Sequence, residues 1–228
     1  MDPAGTSGAA DAPLPLPPAR PRRLVYLGTP EMAVPPLRAL HEAGFEIVLV
    51  VTGADKRRGR GGATTPTPVA VEAMALGLPI SHDASDAAAV GADLGVVVAF
   101  GELLRRPLLE ALPMVNLHFS LLPRWRGAAP VERAILAGDD RTGVCVMAVE
   151  VGLDTGGVYA RSELAIRRTS TATELGTQLT QVGSRLLVDV LRGGLVDPPE
   201  PQVGEATYAH KLTNEDRRLD WDRSAVEL

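Results

Sequence analysis

Short runs that are apolar throughout alternate with segments in which apolar residues recur at three and four. Leu24-Val25-Tyr26-Leu27 is such a run and ends in Gly28-Thr29-Pro30, which reads as a strand followed by a turn. A helix is predicted from about the Pro35-Pro36 pair, because proline is tolerated in a first helical turn. Leu37, Leu40 and His41 share one face of it, and Gly44 supplies the stop. Phe45 to Val51 is a second apolar run, so the two strands and their helix form a βαβ unit within a parallel sheet covered on both faces. Beyond it the pattern predicts a helix over 69–76, a short strand at Pro79-Ile80-Ser81 and a strong strand over 94–100. A short helix over 106–112, a strand over 114–117 and a helix over 130–137 follow. Strands over 144–151 and 158–164 flank the run Gly152-Leu153-Asp154-Thr155-Gly156-Gly157, a turn short enough to predict an antiparallel hairpin. The last helix opens on Thr171-Ala172-Thr173-Glu174, a capping box, and carries Leu175, Leu179, Val182, Leu186 and Val190 before Gly193-Gly194. The expected fold class is α/β: one open, mostly parallel twisted sheet, helices on both faces and an antiparallel hairpin near one edge.

Composition narrows this picture. The chain has 228 residues, 45% of them apolar, enough for one sizeable domain and too many for disorder throughout. The formal net charge of −5 excludes binding to nucleic acid by overall charge, so any RNA contact needs a local basic patch. The single cysteine, Cys145, excludes an internal disulfide framework and a multi-cysteine metal site, and it fits a reducing cytosol. Within Val144-Cys145-Val146-Met147 it reads as a buried strand residue rather than a nucleophile. No window approaches the roughly 18 apolar residues of a membrane helix, so a soluble, cytoplasmic protein is expected. Residues 1–21 lack the pattern of a signal peptide, and prolines at 13, 15, 17, 18 and 21 leave little backbone for regular structure. They are expected to form a disordered leader, or to precede the true start, with the folded domain spanning 22–228.

In an open parallel sheet, ligands lie beyond the carboxyl ends of the strands. Three predicted strand ends carry polar or glycine-rich residues: Gly28-Thr29-Pro30, Phe100-Gly101, and Asn116-Leu117-His118-Phe119-Ser120. Alternation places Asn116 and His118 on one side of a strand, where an amide and an imidazole can converge on one carbonyl oxygen. The same pair would also serve to cap a turn. Asp154, flanked by glycines in the hairpin turn, can project toward His118 and orient its ring, or simply bond its own backbone. Four cations stand within the five positions 56–60, namely Lys56, Arg57, Arg58 and Arg60, followed by Gly61-Gly62. This segment reads equally as a solvated loop or as a phosphate-binding one. The fingerprints of dinucleotide sites, P-loops and α/β-hydrolases are absent, and His41, His82 and His210 show no metal-ligand spacing.

The run from Asn116 through Ser120-Leu121-Leu122-Pro123 and Arg124-Trp125-Arg126-Gly127-Ala128-Ala129-Pro130 resembles the signature of the methionyl-tRNA formyltransferase family. So do Leu27-Gly28-Thr29-Pro30-Glu31, Gly59-Arg60-Gly61 with Pro66-Thr67-Pro68-Val69, Gly152-Leu153-Asp154-Thr155-Gly156, Tyr208-Ala209-His210-Lys211-Leu212, and Asp220-Trp221, in family order over about 22–228. The resemblance implies a Rossmann-like formyltransferase fold. It also implies transfer of the formyl group of 10-formyltetrahydrofolate to the α-amine of methionyl initiator tRNA, for translation initiation. Asn116 and His118 would hold the formyl oxygen, and Asp154 would hold His118 and assist proton removal from the amine. Ser120, Leu121, Leu122 and Pro123 would line the folate site, and Lys56, Arg57, Arg58 and Arg60 would meet the tRNA. No metal is required, and a monomer is expected.

Phe119 stands where many relatives carry a small residue, and Phe100 stands where tyrosine is usual. Relatives continue into a small C-terminal β-barrel that helps grip tRNA, whereas this chain stops at Leu228, as a fragment or as a catalytic domain working alone. Two alternatives accompany this expectation. One is a formyltransferase acting on an amino sugar nucleotide or glycinamide ribonucleotide. The other is an inactive RNA-contacting module.

Overall fold

A computed structural model of the chain describes residues 13–57, 64–222 and 224. In chain order the elements are β1 (Arg23–Gly28), α1 (Val34–Glu42), β2 (Glu46–Val51), β3 (Lys56–Arg57), β4 (Thr64–Thr65), α2 (Pro68–Ala75), β5 (Ile80–Ser81), β6 (Leu94–Val98) and α3 (Arg106–Ala111). After them come β7 (Met114–His118), β8 (Arg126–Gly127), α4 (Pro130–Leu136), β9 (Arg141–Ala148), β10 (Val158–Ala165), α5 (Ala172–Gly193) and β11 (Tyr208–Ala209).

A strand that is apolar on both faces must sit inside a covered sheet. Accordingly β1 lies inside the sheet, parallel to its neighbours β2 and β6. Seven strands run in the order β10-β9-β7-β6-β1-β2-β5, with β9 antiparallel to both β7 and β10. Alternation along β1 sorts its side chains. Leu24 and Tyr26 join Leu37, Leu40, Leu179 and Leu187 under α1 and α5, while Val25 and Leu27 join Leu108 and Leu109 under α3. Both faces are therefore covered, as the apolar runs require. The capping box of α5 is formed: Thr171 Oγ1 accepts from Glu174 N at 3.2 Å, and Thr171 N donates to Glu174 Oε2 at 3.0 Å.

The hairpin departs from expectation in its connection. Strand β9 starts at Arg141 and ends at Ala148, and Val158 pairs opposite Met147. Residues 149–157 then form a loop rather than a tight turn. Ala148 N donates to Gly157 O at 2.8 Å, which closes the ladder before Val151 and leaves Leu153 exposed in the loop. The tail also carries structure that its mixed composition did not suggest. Glu200 and Val158 exchange backbone hydrogen bonds of 2.8 and 2.9 Å, and β11 pairs parallel with β8. Within the expected leader, residues 13–21 lie against the domain: Pro21 is buried, Leu14 packs on the α3 side, and Leu195 N donates to Ala19 O at 2.8 Å. Residues 1–12 lie outside the described residues. Among the described residues no helix is long and apolar enough to cross a membrane.

Candidate active site

The carboxyl ends of β1, β6 and β7 open into a cleft of about 990 Å³, floored by Asn116 and His118 and walled by Phe100, Val131, Leu153 and Asp154. Strand alternation delivers the floor. Leu117 and Phe119 turn into the core under α5, so Asn116 and His118 face the cleft, the first half-buried and the second only 5% exposed.

The loop after β9 brings Asp154 to them. Asp154 Oδ1 accepts from Asn116 Nδ2 at 3.4 Å, and Oδ2 lies 3.7 Å from His118 Nδ1. Oδ2 also accepts from Gly127 N at 2.7 Å. Gly127 has φ of +114°, and a Cβ there would lie 2.9 Å from Ala209 O. Only glycine allows β8 to lie this close to β11 with its N–H aimed at the carboxylate.

The other ring nitrogen of His118 is committed. Nε2 lies 2.9 Å from the carbonyl oxygen of Trp125, which can only accept, so Nε2 carries a proton and donates. Nδ1 is therefore the nitrogen left to serve the cleft. Trp125 has φ of +62° and is pinned through its side chain, whose indole Nε1 donates to Asp139 Oδ2 at 2.7 Å. Arg124 donates to both oxygens of Asp139, at 2.8 and 2.5 Å, with its guanidinium 4.5 Å over the Trp125 ring. The Arg124 bonds hold the Asp139 carboxyl below the ordinary carboxylate range against the opposing effect of burial.

The structure thus brings Asn116, His118 and Asp154 together. Ser120, Leu121, Leu122 and Pro123 form the turn behind His118 and do not line the cleft. Ser120 is buried, and its hydroxyl donates to Arg124 O at 2.6 Å; Leu122 packs with Cys145, Met147 and Val158. Cys145 is buried, and burial pushes its thiol up. Of the basic segment, Lys56 and Arg57 form β3, while Arg58 and Arg60 lie outside the described residues.

Sequence reasoning named Gly28-Thr29-Pro30 as a strand end without assigning Thr29 a task. Its hydroxyl donates to Phe100 O at 3.0 Å and accepts from Gly53 N at 3.2 Å, tying together the turns after β1, β2 and β6. Asp139 and Gln202 were missed altogether. Asp139 lies in the ordinary-looking Gly138-Asp139-Asp140, and Gln202 lies in a proline-rich tail.

A family model described as formyl transferase matches residues 22–191. The chain is 46% identical over 218 residues to a methionyl-tRNA formyltransferase of Dinoroseobacter shibae, covering 90% of this chain and 73% of that protein. It is 48% identical over 218 residues to a methionyl-tRNA formyltransferase of Clavibacter sepedonicus, covering 90% and 71%. An N-formyltransferase from Helicobacter canadensis, solved with folinic acid and dTDP-3-aminofucose, shares the fold with a TM-score of 0.68 at 17% identity, covering 90% of this chain and 77% of that one.

Proposed function

The chain belongs to the formyl transferase family, among the methionyl-tRNA formyltransferases, and on that premise we propose that it transfers a formyl group from 10-formyltetrahydrofolate to the α-amine of methionine on initiator tRNA. The observation that carries the reading is the convergence of Asn116, His118 and Asp154 at the floor of one cleft.

Attack of an amine on a formyl carbon opens the C=O bond and places negative charge on its oxygen. Asn116 Nδ2 offers a neutral donor to that oxygen. His118 Nδ1, when it carries a proton, offers a second. Each such fixed donor is worth roughly 2.7–4 kcal/mol in the transition state. The attacking nitrogen must lose a proton as its bond to carbon forms, and Asp154 is the carboxylate placed to take it, directly or through water. Collapse breaks the old C–N bond, whose nitrogen leaves with a proton returned through the same carboxylate. The apolar walls at Phe100, Val131 and Leu153 beside this polar floor fit a flat, amphipathic formyl donor. Ser120–Pro123 act in this reading by setting the turn that aims the Trp125 carbonyl at His118, and the acceptor arm follows Lys56, Arg57, Arg58 and Arg60.

The test is a formylation assay that offers methionyl initiator tRNA, an amino sugar nucleotide and glycinamide ribonucleotide in parallel. Transfer to the charged tRNA is expected, and transfer to the small amines alone would overturn the proposal.

A further inference from the structure

Asp154 is held at two levels. Gly127 N grips its carboxylate at 2.7 Å, while its backbone carbonyl is gripped from the tail. Gln202 Nε2 donates to Asp154 O at 2.8 Å and to Gly156 O at 2.8 Å. Gln202 Oε1 in turn accepts from Arg126 Nε at 3.0 Å and from Arg126 Nη2 at 2.7 Å. Both amide hydrogens and both lone pairs of the side chain are therefore used. This fixes the amide's orientation, because turning it over would set donors against a guanidinium and acceptors against two carbonyls. Arg126 immediately precedes Gly127, so the bonds close a ring from the Asp154 carbonyl through Gln202 and Arg126 to Gly127 and back to the Asp154 carboxylate. The tail reaches this point by pairing. Glu200 exchanges backbone hydrogen bonds with Val158, and two residues on in each direction Gln202 meets Gly156.

We infer that Gln202, backed by Arg126, is the positioning residue that sets the Asp154 carboxylate against Asn116 and His118. It does not line the cleft, so it acts through Asp154 and not on the reacting atoms. Asp154 has φ of +50°, a conformation its loop does not favour unaided, and two bonds from one rigid amide supply the constraint. This inference rests on the proposed formyl transfer.

The experiment compares the wild-type chain with Q202A and Q202E. In Q202A, kcat for formylation of methionyl-tRNA is expected to fall about 100-fold, as displacement of a catalytic group by about 1 Å does. KM for both substrates should stay within about two-fold. Q202E keeps a partner for Arg126 but aims a carboxylate at two carbonyls. Its activity relative to wild type should be at least as low at neutral pH, and should partly recover toward acid as the introduced carboxyl gains a donor proton. A readout independent of turnover is the amide proton of Gly127, whose resonance should move upfield in Q202A as the bond to Asp154 loosens. An unchanged kcat in Q202A, a loss confined to KM, wild-type activity of Q202E at neutral pH, or an unmoved Gly127 amide would each overturn the inference. If the wild-type chain itself fails to formylate methionyl-tRNA, the functional reading falls, and the Gly127 resonance still decides the role of Gln202.

Discussion

Replacing Asp154 by asparagine removes one charge and one acceptor while leaving the shape of the side chain nearly unchanged. The carboxylate serves three neighbours: Gly127 N at 2.7 Å, Asn116 Nδ2 at 3.4 Å and His118 Nδ1 at 3.7 Å. In D154N only one oxygen remains. Leaving the backbone N–H of Gly127 without a partner costs about 1–3 kcal/mol, more than is lost by giving up the long contact to Asn116. The oxygen therefore stays on Gly127, and the introduced NH₂ faces the NH₂ of Asn116. To escape that opposition Asn116 turns over and presents its oxygen, which withdraws its donor from the formyl oxygen. The expected loss thus combines proton transfer with about 2.7–4 kcal/mol of charge stabilisation. A kcat reduction of at least about 1,000-fold follows, read by single-turnover transfer from 10-formyltetrahydrofolate to methionyl-tRNA, with the folded fraction checked by thermal unfolding. Because part of the loss passes through Asn116, D154N should cost at least about ten-fold less in an N116A background, a coupling of about 1.4 kcal/mol, within the range for residues in contact. Equal costs in the two backgrounds would show that the two side chains act independently, and a loss in D154N of under about ten-fold would show that the carboxylate does not carry the proton; either result refutes the reasoning.

Three further outcomes are expected. G127A sets a Cβ 2.9 Å from Ala209 O at a φ of +114° and should lower stability by about 1–3 kcal/mol while reducing kcat; urea unfolding and turnover together check this, and wild-type values in both would contradict the packing described. D139A frees the Trp125 indole and so loosens the carbonyl that holds His118 Nε2, lowering kcat about ten-fold. D139N, which keeps one acceptor, should lie between D139A and wild type, and identical kinetics for the two would place the effect elsewhere. The Arg133 side-chain bond and two bonds from Thr213 lower the Asp216 carboxyl to about 2. A carboxyl that titrates lower in the folded chain than in the unfolded one stabilises fully above the unfolded value of about 3.9 and loses that contribution as pH falls toward about 2. Protection of the tail around Lys211 from an acid-active protease should therefore fade across that window in wild type and be weak throughout it in D216N, and equal cleavage of the two proteins at the upper end of the window would count against the contact.

The parts of the fold that were legible are those in which burial dictates residue type. Leu24–Leu27 and Leu94–Val98 are apolar on both faces because helices cover both, and such runs have few other structural readings. Thr171 and Glu174 announced their helix because a capping box is local chemistry. Asn116 and His118 were legible as a pair because strand period alone puts them on one side. The path of residues 149–157 was not legible. It depends on which backbone groups of Ala148 and Gly157 find one another, and sequence pattern does not register backbone pairing across a loop. The partner of His118 Nε2 escaped for the same reason, being the carbonyl of Trp125, a group every residue possesses. Gln202 escaped because its four bonds go to residues 46 to 76 positions away.

The left-handed residues show where that hidden information is concentrated. Among the described residues three non-glycines have positive φ: Ala99 at +47°, Trp125 at +62° and Asp154 at +50°. Ala99 and Asp154 line the cleft, and the Trp125 carbonyl anchors its histidine. Each such conformation costs about 1–3 kcal/mol and persists only where the surroundings over-determine it. The surroundings can be named in each case. Thr29 ties the turn after Ala99 through Phe100 O, Asp139 pins the Trp125 side chain, and Gln202 clamps the Asp154 carbonyl. None of these three is placed among the reacting atoms, and each sets the backbone beneath a group that is or that wall the cleft. The chemistry of the site can accordingly be lost in two ways, by removing Asn116, His118 or Asp154, or by relaxing the backbone that aims them. The second should leave substrate binding and the fold nearly intact while kcat collapses, which is the pattern that distinguishes a held geometry from a held substrate.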